Sequence, residues 1–290
     1  MTPFANRISR GMHGRAIKAN YHTHCTWCDG RNTPEEMVLS AIGKGFDEVG
    51  FSSHAMLPGT FLGWGLSEAN IRAYAAEIRA LAARYEGRIK VLCGVEADYA
   101  PPVATPERSV FGAIEPDYII GSVHYVAAPD GAFVCADESP ESLEEGIRSH
   151  FGGSVQAYVR AYFAQERRMI AECDFDIIGH IDLVRKFNKK FPCFSEDAAW
   201  YREELELTAL VAARSGKAVE INTGAISRGW MDDAYPSKEF REILAKAGAR
   251  FLLGSDAHCA DALDCAFDRF GGFNRHYTAT NRNDKNNIAS

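Results

Sequence analysis

The sequence has 290 residues, 46% of them hydrophobic, so the chain can bury a sizeable core in one or two domains. Its formal net charge is −7 and it contains no basic run, which weighs against a protein that binds a nucleic-acid backbone. Without an apolar run of about 18 residues or the apolar core of a signal peptide, we expect a cytoplasmic protein that contacts no membrane and no nucleic acid.

Short apolar segments, several of them rich in β-branched residues, alternate with helical patterns along the chain. Strands are predicted at residues 16–22, 47–53, 88–97, 116–124, 175–181, 217–222 and 249–257. Helices are predicted at residues 33–45, 67–87, 154–172, 195–216 and 237–249. Alternation of this kind predicts parallel strands, and seven strands predict a closed or nearly closed α/β barrel.

The helix starts and the loops also have recognisable signals. Thr33 followed by Glu36 forms a capping box at the first helix, and Ser67 is the predicted N-cap of the second. Residues 53–66 and 125–150 are predicted to be long loops, as lids and binding loops often are.

A single barrel domain is predicted to span most of the chain. It is predicted at residues 18–275, between a flexible N-terminal segment at 1–17 and a flexible tail at 276–290.

Histidines and acidic residues gather at the ends of the predicted strands. They are His22, His24, His54, Glu96, His124, His180, Asp256 and His258. A lone histidine after a strand is more often packed or hydrogen-bonded than a metal ligand. Eight such groups in one barrel mouth would be poorly solvated and costly without a cation. Imidazole and carboxylate together suit zinc, iron or manganese, so the pattern predicts a metal site.

The segment CTWC, residues 25–28, leaves more than one interpretation open. Its spacing is that of a redox dithiol, and Cys25 and Cys28 with His22 and His24 could form a structural zinc site. A structural zinc would leave the other strand-end residues unused, so we expect the cysteines to be neither ligands nor a working dithiol. Asp29 is a candidate further ligand, although an aspartate before glycine is also a common turn.

Several motifs in chain order resemble those of the PHP superfamily. They are YHTHCTWCDG, GFSSHA, GVEADY, IIGSVHY, IIGHIDLVRKFN, EINTGAISRG and LLGSDAH, within a match from about residue 18 to about residue 270. The segment GHIDLVRKFN is similar to the monofunctional histidinol-phosphate phosphatase branch. The resemblance implies a distorted (β/α)₇ barrel with a trinuclear metal centre at the C-terminal face of the strands.

The resemblance also implies how the ligands are shared among the metal ions. One ion would be held by His22, His24, Glu96 and Asp256; a second by Asp29, His54 and His258; a third by Glu96, His124 and His180, with Glu96 bridging. Two to three divalent ions of zinc, iron or manganese are therefore expected, with Asp256 and His258 also acting in catalysis.

The implied reaction is hydrolysis of L-histidinol phosphate by attack of a metal-bound hydroxide. Such a reaction needs no protein nucleophile, which agrees with the lack of a G-x-S-x-G motif. We expect a monomer or a small homo-oligomer.

The phosphate also requires cationic groups, and three arginines are candidates. Arg185 and Arg228 lie in loops after strands, and Arg160 lies in a helix beside the long loop, although the commonest fate of an arginine is a solvated or salt-bridged surface. Asp182 could protonate the leaving oxygen or orient a histidine ligand. The acidic residues Glu68, Asp98 and Asp137 are available for the substrate amine.

Other functions are compatible with parts of the pattern. An amidohydrolase-like metal hydrolase also begins with His-x-His, but here Glu96 comes early and Asp256 and His258 form a late Asp-x-His. A PHP-type nucleotide phosphatase or nuclease remains an alternative. A non-enzymatic domain with a degraded site is less compatible, because all the expected ligand positions are occupied.

Overall fold

The computed structural model describes residues 17–55, 57 and 65–271. The strands are β1 Ala19–Asn20, β2 Glu48–Phe51, β3 Lys90–Asp98, β4 Tyr118–Ser122, β5 Tyr125–Ala127, β6 Phe133–Cys135, β7 Ile177–Ile178, β8 Ala218–Asn222 and β9 Arg250–Gly254. The helices are α1 Pro34–Gly43, α2 Ile71–Arg84, α3 Pro140–His150, α4 Val155–Glu172, α5 Ala199–Ser215, α6 Gly224–Ser227 and α7 Lys238–Ala247. The predicted flexible segments 1–17 and 276–290 lie outside the described residues, apart from residue 17.

Seven parallel strands form the main sheet, in the order β1-β2-β3-β4-β7-β8-β9. The two outer strands approach each other just beyond their ends, where Thr23 pairs with Ala257 in a parallel bridge. The amide of His24 donates to the Ala257 carbonyl at 2.9 Å, which nearly closes the ring. The prediction of a distorted (β/α)₇ barrel is therefore confirmed. No helix among the described residues is long and apolar enough to cross a membrane.

Two predictions about the connections are wrong. The second helix begins at Ile71 with Asn70 as N-cap, because Ser67 and Asn70 hydrogen-bond each other in a turn before the helix. The segment 125–150 is not one loop: it contains the antiparallel hairpin of β5 and β6 and the helix α3, capped by Ser139. Position 56 and positions 58–64 of the other predicted loop lie outside the described residues.

The interior of the barrel changes from apolar to polar along the strands. A cluster at its lower end consists of Tyr21, Leu92, Tyr118, Ile120, Ile177, Ala218 and Leu252. Side chains two residues apart on a strand share a face, so Leu92 leads to Glu96 and Ala218 leads to Glu220 on the inner face. A larger apolar cluster packs the outside of the strands against the helices. Buried polar groups thus occupy the upper end of the barrel.

Candidate metal centre

The nine predicted metal ligands meet at the C-terminal end of the barrel. The structure forms four groups whose ligand atoms lie within 4.8 Å of one another: His24 with Asp29, His54 and His258; His22 with Glu96 and His180; His22 with His24 and Asp256; and His54 with Glu96 and His124. The groups overlap, so these residues could hold several metal ions close together. They do not reproduce the predicted division of ligands one for one.

Glu96 lies at the centre of this arrangement. Its Oε1 is 3.0 Å from Nε2 of His180, and its Oε2 is 3.1 Å from Nε2 of His22 and 3.2 Å from Nδ1 of His54. The hydroxyl of Ser122 also donates to Oε1 at 2.7 Å. Each carboxylate oxygen thus faces a different set of histidines, as a bridging ligand requires.

A tight turn brings Asp29 over the barrel mouth. The amides of Cys28 and Gly30 both donate to the carbonyl of Cys25, at 3.0 and 3.1 Å. This turn places Oδ2 of Asp29 2.9 Å from Nε2 of His258. A carboxylate predicted as a ligand from its place in the sequence therefore does reach the other ligands.

The electrostatics of the buried groups fit a cation. Burial opposes ionisation of the Glu96 carboxyl, but the neighbouring His22 holds its pKa well below the usual value. Burial lowers the pKa of His54 well below its usual value. The buried Nε2 of His24 lies 3.2 Å from Oδ1 of Asp256 but makes no hydrogen bond of good geometry within the described part of the chain. Ionised carboxylates beside buried imidazole nitrogens form a donor set suited to zinc, iron or manganese.

Side chains behind the histidines fix how the rings are turned. Nδ1 of His22 lies 2.8 Å from Oε1 of Glu220, and Nδ1 of His124 lies 2.8 Å from Oδ1 of Asp98. A carboxylate that accepts from one ring nitrogen leaves the other nitrogen for a metal. Glu220 was not predicted from the sequence, where its only signal was an acidic residue in an apolar strand. Asp98, expected to be available to the substrate amine, contacts His124 instead.

A cavity of about 240 Å³ opens above the predicted ligands. Its lining includes predicted ligands such as Glu96 and Asp256, together with Asp137, Glu138 and Lys186. The Nζ of Lys186 lies 2.8 Å from the Asp137 carbonyl and 3.2 Å from its carboxylate. Glu138 and Lys186 were not singled out from the sequence.

Of the three predicted phosphate-binding arginines, the structure brings only Arg228 to this cavity. Nη2 of Arg228 lies 2.8 Å from Oδ2 of Asp256, and Nη1 lies 3.0 Å from the Asp256 carbonyl. Asp256 itself has a φ of 48°, in the left-handed region that non-glycine residues seldom adopt. The contacts from Arg228 therefore favour the ionised form of Asp256, a predicted ligand, and hold its side chain in one orientation.

The other two arginines lie away from the cavity lining. Arg185 is buried and pairs through Nε with Glu196 at 2.6 Å and through Nη1 with Asp182 at 3.3 Å. Arg160 is half-exposed on α4, with Nη2 3.4 Å from a carboxylate oxygen of Glu203 on α5.

Asp182 is likewise buried behind the cavity. Its Oδ2 accepts from the amide of Ser237 at 2.8 Å, and burial raises its pKa to about 6. Of the residues expected near the substrate amine, Glu68 lines a separate cavity of about 650 Å³.

A family model and two curated relatives match most of this chain. The family model described as PHP domain matches residues 20–224. The protein named "Probable histidinol-phosphatase" of Deinococcus radiodurans is 31% identical over 82% of this chain and 85% of its own length. The histidinol-phosphatase of Bacillus subtilis is 25% identical over 87% of this chain and 98% of its own length.

A solved structure shares the fold. It is a histidinol phosphate phosphatase from Lactococcus lactis subsp. lactis complexed with zinc, L-histidinol and phosphate. It aligns with a TM-score of 0.65 and 20% identity, over 90% of this chain and 93% of that one.

Proposed function

Because the chain belongs to the PHP domain family, we propose that it hydrolyses L-histidinol phosphate to L-histidinol and phosphate with the help of bound metal ions. The observation that carries this proposal is the convergence of the predicted ligands beneath one small cavity that Arg228 also lines. The names of the relatives supply the substrate, and the site supplies the reaction class. The amidohydrolase-like alternative is set aside, because the matching family is PHP.

The four overlapping groups would hold two to three divalent ions, and Glu96 belongs to two of these groups. Divalent ions bound there would lower the pKa of water to near 7 and neutralise charge on the phosphate oxygens. Asp256 and His258 are proposed to act in catalysis as ligands that line the cavity.

Arg228 is the residue proposed to bind the phosphate. Its guanidinium lines the cavity, and its two contacts with Asp256 hold it in place beside the predicted ligands. A planar guanidinium can donate hydrogen bonds to two phosphate oxygens at once, which orients the phosphorus for attack.

The lining of the cavity also contains the carboxylates of Asp137 and Glu138. Since Lys186 already pairs with Asp137, Glu138 is the carboxylate more available to the substrate's ammonium group.

Asp182 is proposed to have a structural role. It accepts from the Ser237 amide and pairs with Arg185, and neither Asp182 nor Arg185 lines the cavity. We further propose one barrel domain at residues 18–275 and a cytoplasmic monomer or small homo-oligomer that binds neither membrane nor nucleic acid.

The test is phosphate release from a panel of phosphomonoesters by the metal-loaded protein. Histidinol phosphate should give the highest kcat/KM. A nucleoside monophosphate or a DNA end that equals or exceeds it would replace the proposal with a nucleotide phosphatase or nuclease.

Variants of the arginines test the binding part separately. Arg228→Ala should lower kcat/KM, with a loss of transition-state stabilisation of about 2–4 kcal/mol. Arg228→Lys should recover only part of that loss, because lysine cannot form the bidentate contact. Equal damage from Arg160→Ala would favour the sequence-based assignment over the observed geometry.

A further inference from the structure

Glu220 is a fully buried carboxylate beneath the predicted ligands, with 0% of its surface exposed. It lies on β8, two residues after Ala218, which belongs to the apolar cluster at the lower end of the barrel. Its Oε1 lies 2.8 Å from Nδ1 of His22. Its Oε2 accepts from the amide of His180 at 3.2 Å and from Nδ2 of Asn222 at 2.9 Å. One side chain therefore touches two residues that are predicted to bind metal.

We propose that Glu220 is the positioning residue that holds His22 and His180 on the two oxygens of Glu96. This inference concerns metal binding, on which the proposed function rests, but it does not depend on the identity of the substrate. A carboxylate accepts only, so the Nδ1 of His22 must carry the proton and Nε2 is left to face the centre. That Nε2 lies 3.1 Å from Oε2 of Glu96, and the His180 Nε2 lies 3.0 Å from Oε1.

The geometry requires a carboxylate at position 220 rather than an amide. Each of its three partners is a donor: a ring N–H, a backbone N–H and the amide nitrogen of Asn222. Asn222 cannot turn over without loss, since its Oδ1 accepts from the amide of Gly224 at 2.8 Å. A glutamine could accept from His22 or from the other two, but its NH₂ group would then face a donor.

Gly254 on the neighbouring strand provides the space for this side chain. A Cβ at Gly254 would lie 1.8 Å from Oε1 of Glu220. No shift of a few tenths of an ångström relieves such an overlap, so Gly254→Ala would displace the carboxylate from His22. This second variant keeps the charge of Glu220 and removes only its position.

Glu220 does not belong to any group of mutually close ligand atoms in the described part of the chain. Its role is thus distinct from that of the predicted ligands. Glu48 provides a matched control: it is also a buried strand glutamate, and it accepts from the hydroxyl of Tyr21 at 2.9 Å and touches no predicted ligand.

The test compares the wild-type protein with Glu220→Gln, Gly254→Ala and Glu48→Gln. Zinc per chain and zinc affinity are measured by elemental analysis and by competition with a chelator, without substrate. Glu220→Gln and Gly254→Ala should each bind one zinc about 10–100-fold more weakly, as for other groups that support a ligand. Added zinc should restore phosphate release, and Glu48→Gln should bind zinc as the wild type does.

Three results would overturn the proposal. The first is a folded Glu220→Gln protein that binds zinc as tightly as the wild type. The second is a Glu48→Gln protein that loses as much zinc affinity as Glu220→Gln. The third is a Glu220→Gln protein that lacks one zinc ion at every zinc concentration, which would make Glu220 a ligand.

A crystal structure of the zinc-loaded wild type decides the matter even if the variants do not fold. Glu220 should stay within hydrogen-bond distance of His22 Nδ1 and out of contact with every zinc. A Glu220 oxygen bound to zinc or turned away from His22 contradicts the inference. Because zinc content, zinc affinity and the crystal structure are all determined without substrate, they test the inference even if histidinol phosphate proves not to be cleaved.

Discussion

Gly224→Ala should damage catalysis through the contact between Arg228 and Asp256. A Cβ at Gly224 would lie 2.7 Å from Nη2 of Arg228, 2.7 Å from Oδ2 of Asp256 and 2.9 Å from Cβ of Asp256. Ordinary contact begins at 3.4 Å, so the two charged atoms must retreat by 3.4 − 2.7 = 0.7 Å. The arginine can turn aside, but Asp256 Cβ can move only with its backbone.

The size of the effect follows from that displacement. A misplacement of about 1 Å can cost about 10²-fold in rate. A shift of 0.7 Å in both the proposed phosphate-binding group and a predicted ligand should therefore lower kcat/KM by about 10- to 100-fold, or ~1.4–2.7 kcal/mol. Overpacking should also reduce stability, by about 1–3 kcal/mol.

The assay is phosphate release from histidinol phosphate at saturating zinc, with kcat and KM determined separately. Zinc content and melting temperature of the same preparations show whether the variant is folded and loaded. Gly43→Ala is the matched control, because a Cβ there meets nothing within 4 Å and the position ends helix α1. It should keep full activity and gain a little stability, since alanine favours the helix by up to about 1 kcal/mol.

A folded, zinc-loaded Gly224→Ala protein with kcat/KM within about twofold of wild type would refute the reasoning. Such a protein would have catalytic power that does not depend on where Arg228 and Asp256 lie, contrary to the role that positioning is expected to have.

Three further predictions concern metals, cysteines and pH. The purified protein should contain two to three transition-metal ions per chain by elemental analysis, and His22→Ala should lower the rate by orders of magnitude; full activity after chelation would contradict this. The double variant Cys25→Ser, Cys28→Ser should keep its metal content and most of its activity, whereas loss of one zinc with unfolding would restore the structural-zinc interpretation. Burial raises the pKa of Glu166 well above its usual value of 4.5. The folded protein therefore keeps a proton on this carboxyl that the unfolded chain releases, and the folded state loses stability as pH rises. Glu166→Gln should therefore melt higher than wild type in metal-free protein, by a margin that grows as pH rises above the usual pKa of 4.5; a constant margin would show that the carboxyl does not titrate in this way.

The sequence was sufficient to predict the barrel and the functional residues at the strand ends. Parallel strands place all their C-terminal ends at one side of the barrel, so the location of a histidine that ends a strand can be predicted. Asp29 reaches the cavity for a different reason, because the tight turn closed by the Cys25 carbonyl brings it back over the strand ends. The predictions for the strand-end residues needed only the position of each residue along its own strand.

Residues whose role depends on a partner far along the chain were not predicted in this way. Glu220 and His22 are 198 positions apart, and no local pattern links them. Arg185 follows a strand as expected, but the short helix Leu183–Arg185 turns it towards Glu196 instead of the cavity. The hairpin and helix within 125–150 did have local signals, since Pro-Asp-Gly at 129–131 marks a turn and Ser139 before Pro140 marks a helix start.

Glycines at the upper end of the barrel provide a further constraint on these long-range partners. A Cβ at Gly254 would overlap Glu220, and a Cβ at Gly224 would overlap Arg228 and Asp256. In both cases the absent side chain is what lets a charged group from a neighbouring segment reach a predicted ligand. A glycine next to a strand-end ligand can thus mark where another segment's functional side chain crosses. For this reason Gly254→Ala and Gly224→Ala change the position of the charged groups while leaving every charge in the centre intact.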